Sequence, residues 1–167
     1  KDVAEHSMVT VTDRWNERVS EALGYHGSML CSQVCYTRGE PLPVKHKDIR
    51  RLTEADIPYV AEHYHLGDDA YVRERIGAGD VYGIYIEEKL CGFIGSHNDG
   101  SMGMLYVEDT YRRQGLAASL EGYLINRQRE QGFVPYAHIV EGNEASTRLQ
   151  ERLGLNLSEP VIWWLYR

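Results

Sequence analysis

Apolar residues along the chain recur at two spacings, and these spacings predict its strands and helices. Short apolar or alternating runs predict strands at 8–12, 29–37, 49–52, 81–86, 90–95, 102–107, 134–140 and 161–166. Apolar residues three and four positions apart predict helices at 14–23, 57–64, 68–76, 116–131 and 144–153. From residue 48 onward the order is a strand, two helices and a hairpin, followed by strand, helix, strand, helix and strand. This order predicts an α/β fold.

Residues 1–44 stand apart from this regular order. They carry the strand at 8–12, a helix that Asp13 caps and Gly24 ends, and the strand at 29–37, followed by a proline-containing linker. A piece of this length cannot form a hydrophobic core by itself. We therefore expect it to pack on the domain at 45–167 or on another copy of the chain in a homodimer. Its strand–helix–strand order repeats that of residues 134–166. We therefore predict that the extension is the remnant of a preceding domain of the same type.

Charge and cysteine content exclude several classes of protein. The formal charge is −7, from 18 basic and 25 acidic side chains, so we do not expect nucleic acid as the main partner, because phosphate binding needs a basic face. No apolar run approaches the ~18 residues of a membrane span, and the charged first residues do not resemble a signal peptide. Cys31, Cys35 and Cys91 form neither a disulfide framework nor a metal pattern. We interpret them as buried thiols of a reduced, cytoplasmic protein without a metal.

The stretch at 111–118 is the strongest candidate for a binding site. The strand at 102–107 leads into it, and Gly115 opens the following helix. The first N–H groups of a helix have no partner inside the helix, and the macrodipole adds partial positive charge there. Gly115 lacks a Cβ atom, so an anion can approach these N–H groups, and Arg112 and Arg113 add positive charge beside them. The stretch therefore predicts a diphosphate-binding turn.

The residue pattern of this turn separates it from two common nucleotide-binding motifs. No Lys-Ser or Lys-Thr follows a glycine, and the three spaced glycines of dinucleotide-binding folds are missing. Arg-x-x-Gly-x-Ala at 112–117 instead resembles the pyrophosphate-binding motif of the GNAT superfamily of acyl-CoA-dependent N-acyltransferases. Asn-x-x-Ser at 143–146 and Leu-Gly-Leu at 153–155 resemble a second signature of that superfamily. The resemblance covers residues 48–167, and 137–146 looks most similar to the glycine N-acyltransferase-like branch.

The resemblance implies a GNAT-like fold, a central twisted mixed sheet flanked by helices, with acetyl-CoA or another acyl-CoA as co-substrate. The backbone at 105–107 would pair with the pantetheine arm, and the N–H groups at 114–117 would hold the pyrophosphate. Asn143 would reach the arm from the next helix, and a plain helix cap is an equally open interpretation of this residue. The cofactor-binding residues so implied are Leu105, Tyr106, Val107, Arg112, Arg113, Gln114, Gly115, Leu116, Ala117, Asn143 and Ser146.

Acyl transfer to an amine needs a proton acceptor for the ammonium, a donor to the thioester oxygen and a proton for the departing thiolate. Glu108 is the first candidate acceptor because it directly follows the strand that would bracket the thioester. Its pKa would have to rise on burial for this role. His138 is the next candidate, because histidine titrates near neutral pH. Glu141 and His97 remain further options.

The usual proton donor of the superfamily is a tyrosine directly after a leucine of the last helix. Here Gln150 follows that leucine, and glutamine supplies no proton at neutral pH. Tyr106, Tyr111, Tyr136 or water would then serve. Two functions stay open. One is an N-acyltransferase that acylates a primary amine of a small molecule or peptide, and the other is a non-catalytic acyl-CoA-binding or interaction module.

Overall fold

The computed structural model describes residues 8–167, apart from the side chains of Asp13, Ser158 and Pro160. The first seven residues of the predicted extension therefore lie outside the described residues. The strands are β1 (Met8–Thr12), β2 (Gly27–Cys35), β3 (Ile49–Arg51), β4 (Val81–Ile86), β5 (Lys89–Ser96), β6 (Met102–Val107), β7 (Tyr136–Val140) and β8 (Asn156–Tyr166). The helices are α1 (Asn16–Leu23), α2 (Ile57–His63), α3 (Asp69–Ala78), α4 (Leu116–Glu130) and α5 (Glu144–Leu153).

Local sequence signals set the ends of most helices. The Thr53 N–H donates to the Asp56 carboxylate at 2.8 Å, as in a capping box, before α2. Asp68 caps α3 by accepting an N–H of its first turn at 2.8 Å. Gly79 and Gly154 end α3 and α5 in the left-handed conformation, at φ 77° and 78°. Helix α1 differs from the prediction, because a single 3₁₀ turn at 13–15 precedes it and Trp15, not Asp13, is its N-cap residue.

The chain divides into two compact units that interleave in sequence. Tyr36–Tyr136 form one unit, and Ala137–Arg167 join the chain up to Cys35 in the other. The two ends of the 36–136 unit meet, because the Tyr36 N–H donates to the Pro135 carbonyl at 2.8 Å. The division into 1–44 and 45–167, and the origin of the extension as a remnant domain, stay predictions.

The 36–136 unit is a sheet with helices on both faces. Its strands lie in the order β6, β5, β4, β3, with antiparallel neighbours. Tyr82 of β4 contacts Tyr123 of α4, whereas its neighbour Val81 belongs to the core formed with α2 and α3. The helices therefore cover opposite faces. The β4–β5 turn contains Glu87 and Glu88 at φ 48° and 63°, so Lys89, which was predicted in the turn, begins β5.

The second unit pairs the extension with the end of the chain. Its strands lie in the order β1, β8, β2, β7, and β8 runs antiparallel to both β1 and β2. Leu30 of β2 stands opposite Trp163 of β8, and its carbonyl accepts the Glu141 N–H just after β7 at 2.9 Å. Both strands of the extension therefore hydrogen-bond to strand β8 of the predicted 45–167 domain.

Cysteine burial and helix composition complete the description of the fold. Cys31 and Cys91 are buried free thiols, and burial raises the pKa of Cys31 to about 11; Cys35 is half-buried rather than fully buried. None of the helices between residues 8 and 167 is both long and apolar enough to cross a membrane. Within the same residues, no cluster of His, Cys, Asp and Glu side chains is arranged to hold a metal ion.

Candidate cofactor and active site

Strand β6 contains a β-bulge at the start of the segment that was predicted to bind the pantetheine arm. Its pairing with β5 shifts by one residue, so that Met104 and Leu105 stand opposite the single residue Ile94. Met104 adopts φ 53°, a left-handed conformation that is costly for a non-glycine residue, by about 1–3 kcal/mol, and that is frequent at functional sites. The bulge turns the backbone at Leu105 out of the regular ladder. The segment 105–107 that follows is the one predicted to hold the pantetheine arm.

The predicted diphosphate-binding turn precedes α4. Gly115 is the N-cap residue at φ 92°, and the Ser119 N–H closes the first turn on its carbonyl at 3.0 Å. The N–H groups of Leu116 and Ala117 belong to the first turn, where a helix offers no acceptor of its own. A Cβ atom built on Gly115 meets one neighbouring atom, His46 Nε2 at 4.0 Å. The space in front of the turn is therefore open to a bulky anion.

The two arginines of the turn differ in their surroundings. Arg112 Nε donates to the Val107 carbonyl at 3.2 Å, and the same guanidinium pairs with Asp109 at 2.7 Å. Arg112 therefore ties the end of β6 to the turn. Arg113 is exposed and adopts φ 59°, so two left-handed residues, Arg113 and Gly115, shape the loop around Gln114. Their roles as cofactor ligands stay predictions.

Glu108 lies at the end of β6 within a cluster of polar side chains. Lys89 Nζ donates to one carboxylate oxygen at 2.8 Å, and the Tyr59 hydroxyl donates to the other at 3.2 Å. The Glu108 side chain is 19% exposed, and that of Lys89 is 57% exposed. Lys89 also lies over the ring of Tyr111, with its nitrogen 5.2 Å from the ring centroid. The carboxylate is thus held from two sides.

The ion pair with Lys89 sets the direction in which the pKa of Glu108 is shifted. The hydrogen bond from Lys89 lowers the pKa of Glu108, and it outweighs burial, which acts in the opposite direction. The condition for Glu108 to act as the proton acceptor, a pKa raised by burial, is therefore not met. A carboxylate with a lowered pKa is a poor proton acceptor for an ammonium.

Replacing Lys89 by methionine should raise the pKa of Glu108 towards or above its ordinary value, because the largest cause of the shift is removed. Carboxyl-carbon NMR titration of wild type and Lys89→Met measures this directly, with Lys45→Met as an exposed control. A lowered folded-state pKa stabilises the fold above the unfolded value, about pH 4.3. The extra stability of wild type over Lys89→Met should therefore be full at neutral pH and disappear as the pH falls through the lowered pKa. An unchanged Glu108 titration in Lys89→Met would contradict this assignment.

His63 is the residue beside Glu108 that the sequence analysis missed. Its Nδ1 lies 2.8 Å from the Tyr59 carbonyl, which only accepts, so Nδ1 carries the hydrogen. The neutral ring then has its lone pair on Nε2. The imidazole packs against the rings of Tyr59 and Tyr106, at centroid distances of 4.6 and 4.4 Å. The sequence does show that His63 follows Tyr59 by one helical turn on α2, so the two side chains should be neighbours. Nothing in the sequence placed that helix beside β6.

The candidates of the second unit show structural roles. The Asn143 side chain accepts the Ser146 N–H at 3.1 Å, so the helix-cap interpretation of Asn143 is confirmed. Trp164 Nε1 donates to His138 Nδ1 at 3.1 Å, and Gln33 lies 3.2 Å from the other ring nitrogen. His138 is thus held on both sides by β2 and β8. Cofactor contacts of Asn143 and Ser146, and a catalytic role of His138, stay predictions.

The sequence offered Tyr106, Tyr111 and Tyr136 as substitutes for the missing proton-donating tyrosine. Burial raises the pKa of Tyr106 and Tyr136, and a hydrogen bond with Cys91 raises that of Tyr111, so all three hold their protons more tightly. His97 Nδ1 lies 2.6 Å from the Tyr71 hydroxyl. Glu141 is exposed.

Comparisons with known families add a direct match. Residues 81–164 match the family model described as FR47-like protein. No curated protein matches the sequence.

Solved structures share the fold at low sequence identity. A Drosophila protein is similar with a TM-score of 0.77 and 21% identity, over 96% of this chain and 60% of its own. An acetyltransferase from the GNAT family of Colwellia psychrerythraea has a TM-score of 0.67 and 14% identity, over 96% of this chain and 64% of its own. The ribosomal-protein-S18-alanine N-acetyltransferase of Escherichia coli has a TM-score of 0.58 and 20% identity, over 71% of this chain and 92% of its own. The chain thus spans under two thirds of the first two proteins, and the predicted GNAT fold is confirmed.

Proposed function

This chain belongs to the FR47-like protein family, and on that premise we propose that it is an N-acyltransferase. It transfers an acetyl or short acyl group from acyl-CoA to a primary amine of a small molecule or peptide. The observation that carries the proposal is the open Gly115 turn at the start of α4, which a 3₁₀ turn at 109–111 connects to the bulged strand β6. The closer assignment to the glycine N-acyltransferase-like branch stays a prediction from the sequence.

The turn and the strand supply the two kinds of contact that an acyl-CoA needs. The N–H groups of Gly115, Leu116 and Ala117 bind the diphosphate, with the exposed Arg113 beside them. The backbone of 105–107 pairs with the amides of the pantetheine arm as an added strand does. This arrangement brings the thioester to the end of β6, beside Glu108.

The cluster around Glu108 supplies the acceptor for the amine proton. Nitrogen–carbon bond formation and carbon–sulfur bond cleavage require that the ammonium first loses a proton and that the thiolate later gains one. We assign the acceptor to His63 Nε2, because the Tyr59 carbonyl fixes the hydrogen on Nδ1. Glu108, whose pKa is lowered, holds Tyr59 and Lys89 in place and adds negative charge beside the resulting imidazolium. Water is the proposed proton source for the thiolate.

Incubation with acetyl-CoA and a panel of primary amines tests the function. We expect free thiol to appear in equal amount to the acylated amine for at least one amine, and neither product with Gly115→Glu. Parallel calorimetry with CoA shows whether the cofactor binds.

A second candidate function is a non-catalytic acyl-CoA-binding module. It is favoured by Gln150, which is buried at 4% exposure where the superfamily has its proton-donating tyrosine. CoA binding without thiol release for any amine would support this second function and contradict the first.

A further inference from the structure

The segment 40–47, which connects β2 to β3, lies along one face of α4. The Leu42 N–H donates to the Asn126 side-chain oxygen at 2.7 Å, and the Asn126 amide donates back to the Leu42 carbonyl at 2.8 Å. The His46 N–H donates to the Ser119 hydroxyl at 3.1 Å. Gly122 lies between these two contacts, and a Cβ atom built there meets Leu42 at 3.5 Å. Positions 119, 122 and 126 share one helix face, so the segment runs antiparallel to α4 and carries His46 to its N-terminus.

His46 contacts the diphosphate-binding turn itself. Its Nε2 lies 3.0 Å from the Gln114 carbonyl oxygen. A carbonyl only accepts, so Nε2 carries the hydrogen and donates it. The Gln114 carbonyl and the Gly115 N–H belong to one planar trans peptide unit, in which they point in opposite directions. A bond that holds the carbonyl therefore also fixes the direction of the Gly115 N–H.

We propose that His46 is a positioning residue for cofactor binding, which orients the Gly115 N–H towards the diphosphate and keeps the Gln114 carbonyl away from it. This inference rests on the proposed function. Glycine is the most flexible residue of the backbone, so a turn built on it loses much freedom when an anion binds. Fixing the peptide beforehand removes part of that cost. The contacts with Asn126 and Ser119 hold the segment that carries His46. The imidazole is therefore in position at the turn before the cofactor binds.

Three variants separate this role from a general loss of structure. His46→Ala deletes the donor, and His46→Gln keeps an N–H donor at the same number of bonds from the backbone. His65→Ala removes an exposed histidine from another loop and serves as the control. Calorimetry should show the dissociation constant of CoA about tenfold higher in His46→Ala, within about twofold of wild type in His46→Gln, and unchanged in His65→Ala. At saturating acetyl-CoA, kcat should remain that of wild type in His65→Ala.

Pantetheine, which lacks the diphosphate, provides the decisive comparison. As a competitive inhibitor it should bind wild type and His46→Ala equally, because the donors that His46 orients contact only the diphosphate. An equal loss of pantetheine and CoA binding would overturn the proposal, and so would an unchanged CoA affinity in folded His46→Ala. If wild type itself does not bind CoA, that result would instead contradict the proposed function. The two failures are therefore distinguishable.

Discussion

Gly115→Glu should abolish CoA binding, raising the dissociation constant by at least about a hundredfold, while the protein stays folded. The new carboxylate occupies the space in front of the first-turn N–H groups and accepts their hydrogen bonds in place of the diphosphate. It also adds a negative charge beside the phosphates, a repulsion of about 4 kcal/mol at 4 Å near a protein surface. Calorimetric titration with CoA measures the change, and thermal unfolding confirms the fold.

Gly132→Glu is the matched control for this variant. Gly132 follows the other end of α4, adopts φ 85° against 92° for Gly115, and has open space around it. Both substitutions force a glutamate into the left-handed region, at a similar cost of about 1–2 kcal/mol in stability. Only Gly115→Glu should lose CoA binding. Unchanged CoA affinity in folded Gly115→Glu would place the cofactor elsewhere.

His63→Asn should lower kcat by roughly 10²–10⁴-fold, the usual contribution of a general base, with unchanged affinity for CoA. Asparagine keeps a donor at the position of Nδ1 for the Tyr59 carbonyl and removes only Nε2. Helix α2 therefore retains its local hydrogen bond, and the lost rate reports on proton removal. Steady-state kinetics at saturating acetyl-CoA with the best amine of the panel measures the effect.

Glu108→Gln is the comparison that decides between the two acceptors. Glutamine keeps one oxygen that can accept from Lys89, and its amide group can donate to the Tyr59 hydroxyl. If Glu108 only holds these two groups, Glu108→Gln should therefore lose less kcat than His63→Asn. A larger loss in Glu108→Gln than in His63→Asn would return the role of proton acceptor to Glu108, as the sequence predicted.

The sequence predicted the features of this protein that depend on neighbouring residues. Strand 102–107, the glycine turn and α4 follow from apolar spacing and from the conformational freedom of Gly115. Asn143 caps α5 because its side chain reaches an N–H group three residues away, and the Asp56 side chain reaches back to the Thr53 N–H over the same spacing. Such signals involve a few consecutive positions, so they can be read without knowledge of the tertiary structure.

Features that join distant segments were not predicted. The bulge at Met104 depends on the register between β5 and β6, and methionine carries no signal for a left-handed conformation. Glu108 was a candidate from its position after β6, but its lowered pKa comes from Lys89, 19 residues away across the hairpin. His46 reaches Gln114 from 68 residues away. Proximity of this kind comes from packing, so the chemistry of the site was harder to predict than its location.

The interleaving of the two units constrains the order in which the chain folds. Pairing of Leu30 with Trp163 closes a loop of roughly 130 residues, which costs about 4 kcal/mol of chain entropy in the simplest model. If 36–136 folds first, the bond between Tyr36 and Pro135 holds its ends together and shortens the remaining loop to roughly 35 residues. Closure then costs about 1 kcal/mol less, a several-fold gain in rate if the transition state already contains the closed loop. Loop entropy alone thus favours an order in which residues 36–136 fold before β2 pairs with β8.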